Sequence, residues 1–194
     1  MKLNIPNQLT MLRMILIPVF VGCFIYIKNP LVAGVVSAII FTIASLTDML
    51  DGKIARKYNL VTNFGKVMDP LADKALVFAA FLLLSTIENI DGIMIWATVI
   101  VFIRELGVTS IRLACAKSDV SLAANFFGKA KTVTQMACIL VVLMENALIT
   151  SGTINLGVFN YLASFVLIIA MSFMTVASGI NYLKVYMPYL KTNE

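Results

Sequence analysis

Six apolar runs, each near the length that crosses a lipid bilayer, set the terms on which this chain can fold. A transmembrane helix takes about 20 residues, with a range of about 17–25. That criterion predicts helices over residues 9–27, 31–53, 70–86, 93–115, 129–150 and 156–182. Turn-forming residues stand between them: Lys28-Asn29-Pro30, Asn89-Ile90-Asp91-Gly92 and Ser151-Gly152. Inside lipid the backbone must satisfy its own hydrogen bonds, so the runs read as helices and the fold class as all-α. Composition agrees. The chain is 60% hydrophobic and 13% charged, where a soluble domain is about 45–50% apolar and about 25% charged. Mean hydropathy is +0.95. The reading is one integral membrane domain over residues 1–194, with six transmembrane helices preceded by a short interfacial amphipathic helix.

The amino-terminal stretch MKLNIPNQLTMLRMILIPVF lacks a small-residue cleavage site after its apolar run, so a cleaved signal peptide is not expected. Asn7, Thr10 and Arg13 recur every three residues and share one helical face. That face either leans over a functional site or anchors the chain at the membrane surface. Of the 15 Lys and Arg residues, Lys28 stands alone in one set of turns, and the other 14 gather on the opposite side. The positive-inside rule then places both termini and the loop after the second helix in the cytoplasm. A net charge of +5 in such a chain reports loop placement, and no soluble basic patch suggests nucleic acid.

The stretch from Asp48 to Asp73 carries four of the ten acidic residues, as the pairs Asp48/Asp51 and Asp69/Asp73. On a helix each pair shares a face with small residues, Gly52 and Ala55 in one case, Gly65 and Ala72 in the other. Four carboxylates close together repel one another unless a cation or protons intervene. Hard divalent ions bind such oxygens and share them with substrate phosphates, so the pattern points to a metal-held phosphoryl site. Polar capping of membrane helices is the plainer alternative, with Asp69 and Pro70 opening the third helix. There is no histidine, which removes the commonest general base and zinc ligand. Cys23, Cys115 and Cys138 lie in or beside apolar runs without CxxC spacing, and packing accounts for them.

The spacing Asp48-x2-Asp51-Gly52-x2-Ala55-Arg56-x8-Gly65-x3-Asp69-x3-Asp73 resembles, without departure, the signature of the CDP-alcohol phosphotransferase family. The stretches NIPNQLTMLR, RELGVTSIRLACA and GKAKTVTQ are similar to the branch of that family that makes phosphatidylglycerophosphate. The resemblance implies an integral membrane enzyme transferring a phosphatidyl group from CDP-diacylglycerol to glycerol 3-phosphate, and a homodimer. It further implies that Asp48, Asp51 and Asp69 hold one metal ion, Mg²⁺ or Mn²⁺, and that Asp48, Asp69 and Asp73 hold a second, with Asp73 also the general base. Asn7, Thr10, Gly52, Ala55, Arg56, Thr62 and Gly65 would then lie along CDP-diacylglycerol. A planar guanidinium such as that of Arg56 suits phosphate oxygens. Arg104, Arg112, Lys129 and Lys131 sit at or near the predicted cytoplasmic helix ends, where they either anchor the helices or receive an acceptor phosphate. Other acceptors within the family, namely inositol phosphate, serine or phosphatidylglycerol, remain open. A divalent-cation transporter is the reading from a different class, but it would place its acids near the bilayer midplane.

Overall fold

The computed structural model describes residues 5–57, 63–115 and 126–191, and within these the side chains at 5–6, 48–57, 63–64, 66–67, 112–115, 126–127, 129 and 187–191 fall outside the description. Six long helices follow in order: α1 (Ile5–Tyr26), α2 (Pro30–Lys57), α3 (Asn63–Leu84), α4 (Asp91–Cys115), α5 (Phe126–Thr150) and α6 (Leu162–Lys191). The described residues contain no strand.

Local chemistry accounts for the breaks. Pro30 occupies the first position of α2, where a missing N–H is harmless, and the Asn29 side chain accepts the Val32 N–H at 3.2 Å. Asp91 lies in the first turn of α4, where the helix dipole favours a carboxylate. Gly152, at φ +72°, ends α5 in the left-handed conformation open to glycine. A 3₁₀ turn, Gly157–Phe159, leads into α6, whose first turn is fastened from outside: Glu145 of α5 accepts the Ser164 N–H at 2.8 Å and its hydroxyl at 2.5 Å.

Two boundaries differ from the sequence expectation. The polar amino-terminal residues do not form a separate interfacial helix, because residues 5–26 run as one helix. The third helix begins at Asn63, not at Pro70, which lies inside it. Proline disfavours the helix before it by removing one bond to the carbonyl four residues back. Neighbouring helices in a bundle can absorb that loss, and α3 is packed against α1 and α4. Asp69 therefore sits in the second turn and not at a helix start.

The bundle inverts the surface of a water-soluble protein. Ile15, Leu82, Trp96, Ile103 and Phe173 are among many large apolar side chains facing outward, which suits lipid and would be a liability in water. Among the described residues, five helices are long and apolar enough to cross a membrane: all except α3, whose first 12 residues carry Lys66, Asp69, Asp73 and Lys74. Inside, Phe20, Phe41, Phe81, Leu84, Met94, Ile139, Leu143, Ile168 and Met171 form one core. α2 and α5 approach closely at Gly34, where an added Cβ would stand 2.4 Å from the Cβ of Ala147. Small residues at such crossings let membrane helices gain van der Waals contact that lipid does not supply.

Candidate active site

The face of α1 that carries Asn7, Thr10 and Arg13 turns inward. All three are buried, Thr10 and Arg13 completely. α1 packs along α3, and across that contact the Thr10 hydroxyl donates to Oδ1 of Asp69 at 2.5 Å. Asp73 lies one turn further on the same face of α3, half-buried like Asp69, with Ala72 fully buried beside it and Gly65 buried one turn before. The polar face of α1 thus packs against the carboxylate-bearing face of α3.

A second cluster adjoins the first. The Lys74 ammonium donates to the Thr109 hydroxyl, joining α3 to α4. Thr109 in turn donates to the backbone carbonyl of Glu105 at 2.7 Å. Glu105 is the hinge of the cluster: its Oε1 accepts from Arg104 at 3.2 Å and also from the Lys131 ammonium of α5. Arg104 reaches on to α6, where Nη2 donates to Ser178 Oγ at 2.6 Å. The side chains of Arg104, Glu105 and Lys131 are 12%, 14% and 9% exposed, so these charges meet largely away from solvent. Asp73 lies near enough to act electrostatically on Lys131. Carboxylates and cations therefore share one end of the bundle.

The structure brings Asn7, Thr10, Gly65, Asp69 and Asp73 together on α1 and α3, and Arg104 and Lys131 on α4 and α5. Asp48, Asp51, Gly52, Ala55 and Arg56 occupy the last turns of α2, next in the chain to the start of α3, with side chains outside the description. Thr62 falls outside the described residues, and of Arg112 and Lys129 only the helical backbone is described. Sequence reasoning missed Glu105 as the shared partner of two cations. Its one signal is the pairing with Arg104 in an otherwise apolar run, and nothing in the local pattern names Lys131 across the bundle.

Residues 3–177 match the family model described as CDP-alcohol phosphatidyltransferase. The chain belongs to that family. Two of its relatives align along nearly their whole length. A CDP-diacylglycerol–glycerol-3-phosphate 3-phosphatidyltransferase from Bacillus subtilis is 38% identical over 98% of this chain and 99% of that protein. One of the same name from Rickettsia felis is 38% identical over 96% of this chain and 97% of its own. A probable phosphatidylglycerophosphate synthase from Mycobacterium tuberculosis is 35% identical over 92% of this chain and 79% of its length. As a CDP-alcohol phosphatidyltransferase the chain is a phosphatidyl-transferring enzyme, and its apolar helices fit a multi-pass membrane protein.

Members of the CDP-alcohol phosphatidyltransferase family generally depend on a divalent metal. The donor chemistry here fits one. Asp69 and Asp73 are hard oxygen donors four residues apart on one helix face, half-buried, with the small Ala72 and Gly65 on the same side of α3. Such a setting suits a hard divalent cation and leaves room for the phosphate oxygens it shares.

Proposed function

We propose that the chain transfers the phosphatidyl group from CDP-diacylglycerol to glycerol 3-phosphate, giving phosphatidylglycerophosphate and CMP. The observation that carries this reading is the end-to-end match to relatives named for that reaction, with all eight motif positions intact. The adjoining cations favour a phosphorylated acceptor over an uncharged one. Each of Arg104 and Lys131 spends only part of its donor capacity on Glu105, and guanidinium and ammonium groups keep further N–H donors for a phosphate.

In this reading Asp48, Asp51 and Asp69 hold one divalent ion, Mg²⁺ or Mn²⁺, and Asp48, Asp69 and Asp73 hold a second. Bound there, the ions supply neutralisation of the diphosphate and of the leaving CMP. Gly52 and Ala55 leave space for the nucleotide, and Arg56, Thr62, Gly65, Asn7 and Thr10 line the CDP-diacylglycerol side. The Thr10 bond to Asp69 supports that role for α1, since it orients a carboxylate from outside α3. Arg104, Arg112, Lys129 and Lys131 receive the phosphate of the acceptor. Asp73 takes the proton from the acceptor hydroxyl, whose oxygen bonds to the lipid-side phosphorus. The bond from that phosphorus to the CMP oxygen breaks in the same displacement, and CMP leaves. The distribution of Lys and Arg supports a cytoplasmic site with both termini on that side, α3 acting as the sixth span. A homodimer belongs to the same reading.

The deciding experiment is CMP release by the purified protein from CDP-diacylglycerol against a panel of acceptors. Glycerol 3-phosphate is expected to support turnover while serine, inositol phosphate and phosphatidylglycerol do not. Release driven equally well by another acceptor would overturn the assignment.

A further inference from the structure

Gln135 lies four residues past Lys131 on the same face of α5, about 6 Å toward the membrane interior at 1.5 Å per residue. It is 2% exposed, and its amide Nε2 has no hydrogen-bond partner among the described residues. A buried donor without an acceptor is costly, more so where lipid surrounds the bundle, and most such groups in native proteins are satisfied.

The register of α2 against α5 brings a second polar atom to that depth. Gly34 near the start of α2 meets Leu143 and Ala147 near the end of α5, and with the six helices spanning in turn, as in the reading above, the second and the fifth run in opposite directions. Eleven residues on from Gly34 is Ser45, and the same distance back from Leu143 and Ala147 covers residues 132–136. Ser45 and Gln135 therefore share a level, and Ser45 Oγ is likewise buried and without a partner among the described residues. One turn toward the charged end stand Asp48 on α2 and Lys131 on α5. The next positions inward, Phe41, Cys138 and Val142, are buried and apolar.

We propose that Gln135, with Ser45 at its side, forms a subsite for an acyl-ester carbonyl of the lipid substrate. The proposal rests on the reaction inferred above. In a diacylglycerol phosphate the glycerol backbone, with its ester carbonyls, follows the phosphate and precedes the acyl chains. With the phosphate among the carboxylates and cations, those carbonyls fall on the membrane side of the charges, where Gln135 lies. A carbonyl oxygen accepts hydrogen bonds and donates none, which matches an amide N–H lacking an acceptor. A neutral amide is also the suitable donor, since it asks for no counter-charge at that depth.

The test compares CDP-diacylglycerol with its dialkyl-ether analogue, which keeps the shape and loses the carbonyls. Full-length protein in detergent micelles, with Mg²⁺ and saturating glycerol 3-phosphate, is assayed by CMP release. The wild type is expected to favour the diester by about tenfold in kcat/KM, the scale of a hydrogen bond whose loss leaves a buried group unpaired. Gln135→Met, close in volume, is expected to lose about tenfold on the diester and nothing further on the diether. Ser45→Ala should give a smaller loss with the same selectivity. Equal kcat/KM for the two lipids in the wild type overturns the proposal without any variant. So does a Gln135→Met protein that loses equally on both or on neither, the outcome if the amide merely holds a water. Absence of CMP release with every acceptor would instead strike the reaction itself. Equilibrium binding of the two lipids then reads the subsite alone: a tenfold gap erased by Gln135→Met supports it, and no gap refutes it.

Discussion

The hydroxyl of Thr10 donates to the carboxylate of Asp69 at 2.5 Å, tying the first helix to the third across 59 residues of chain. Threonine at that position is fully buried, and a hydrogen bond to a charged group contributes about 1.5–3 kcal/mol. Thr10→Val keeps the shape and removes the donor. It is expected to lower kcat/KM for CDP-diacylglycerol by about tenfold or more, while Thr10→Ser stays near wild type. CMP release at saturating metal measures both, and a valine variant with full activity would show that the bond does nothing for the site.

Chelation is expected to abolish turnover, and Mg²⁺ or Mn²⁺ to restore it. Asp69 and Asp73 share one half-buried helix face, and in the proposed site they join Asp48 and Asp51, a gathering of carboxylates that calls for cations. Full activity in excess EDTA would remove the metal from the mechanism.

Asp73→Asn should cut turnover by about 10²-fold or more, the scale of general-base contributions. CDP-diacylglycerol binding should survive, because the substitution leaves untouched the first ion proposed above on Asp48, Asp51 and Asp69. The check is turnover beside lipid binding in the same preparation, and near-normal turnover would assign the base elsewhere.

Lys131→Gln is expected to raise the KM for glycerol 3-phosphate by about 10- to 100-fold and leave that for CDP-diacylglycerol alone, since a charge-assisted bond to phosphate contributes about 1.5–3 kcal/mol. Glu105 holds both Lys131 and Arg104, so Glu105→Gln should raise the same KM by misplacing them. An unchanged acceptor KM in both variants would reduce this cluster to helix packing.

Gly34→Ala tests a close crossing of α2 and α5. The new methyl would meet the Ala147 Cβ at 2.4 Å and the Leu143 carbonyl at 3.0 Å, and overpacking of this kind costs about 1–3 kcal/mol. Melting in detergent should fall by several degrees, and the paired change Gly34→Ala with Ala147→Gly should recover much of it. A Gly34→Ala protein that melts like the wild type would mean that the crossing gives way easily.

The carboxylate motif and the six helices were legible in the chain because each is written locally. Apolar runs announce their length, and Asp69 and Asp73 announce their shared face through a spacing of four. Pro70 misled for the same reason. A local rule ends helices at proline, whereas α3 starts at Asn63 and continues through it, a helix packed against α1 and α4. The amino-terminal face shows the limit most clearly. Periodicity put Asn7, Thr10 and Arg13 on one side of a helix and could not say whether that side met water, headgroups or protein. Contact with Asp69 decided it.

By itself, then, the sequence determined the helical class, the grouping of charge at one end and the chemical type of the donors. Those properties follow from backbone hydrogen bonding in lipid and from helical periodicity, which act over a few residues. Tertiary structure alone decided who meets whom: Thr10 with Asp69, Glu105 with Lys131, Arg104 with Ser178. Partners separated by tens of residues are chosen by how the helices cross, and that choice rests on close approaches such as Gly34 against Ala147, which no local pattern encodes.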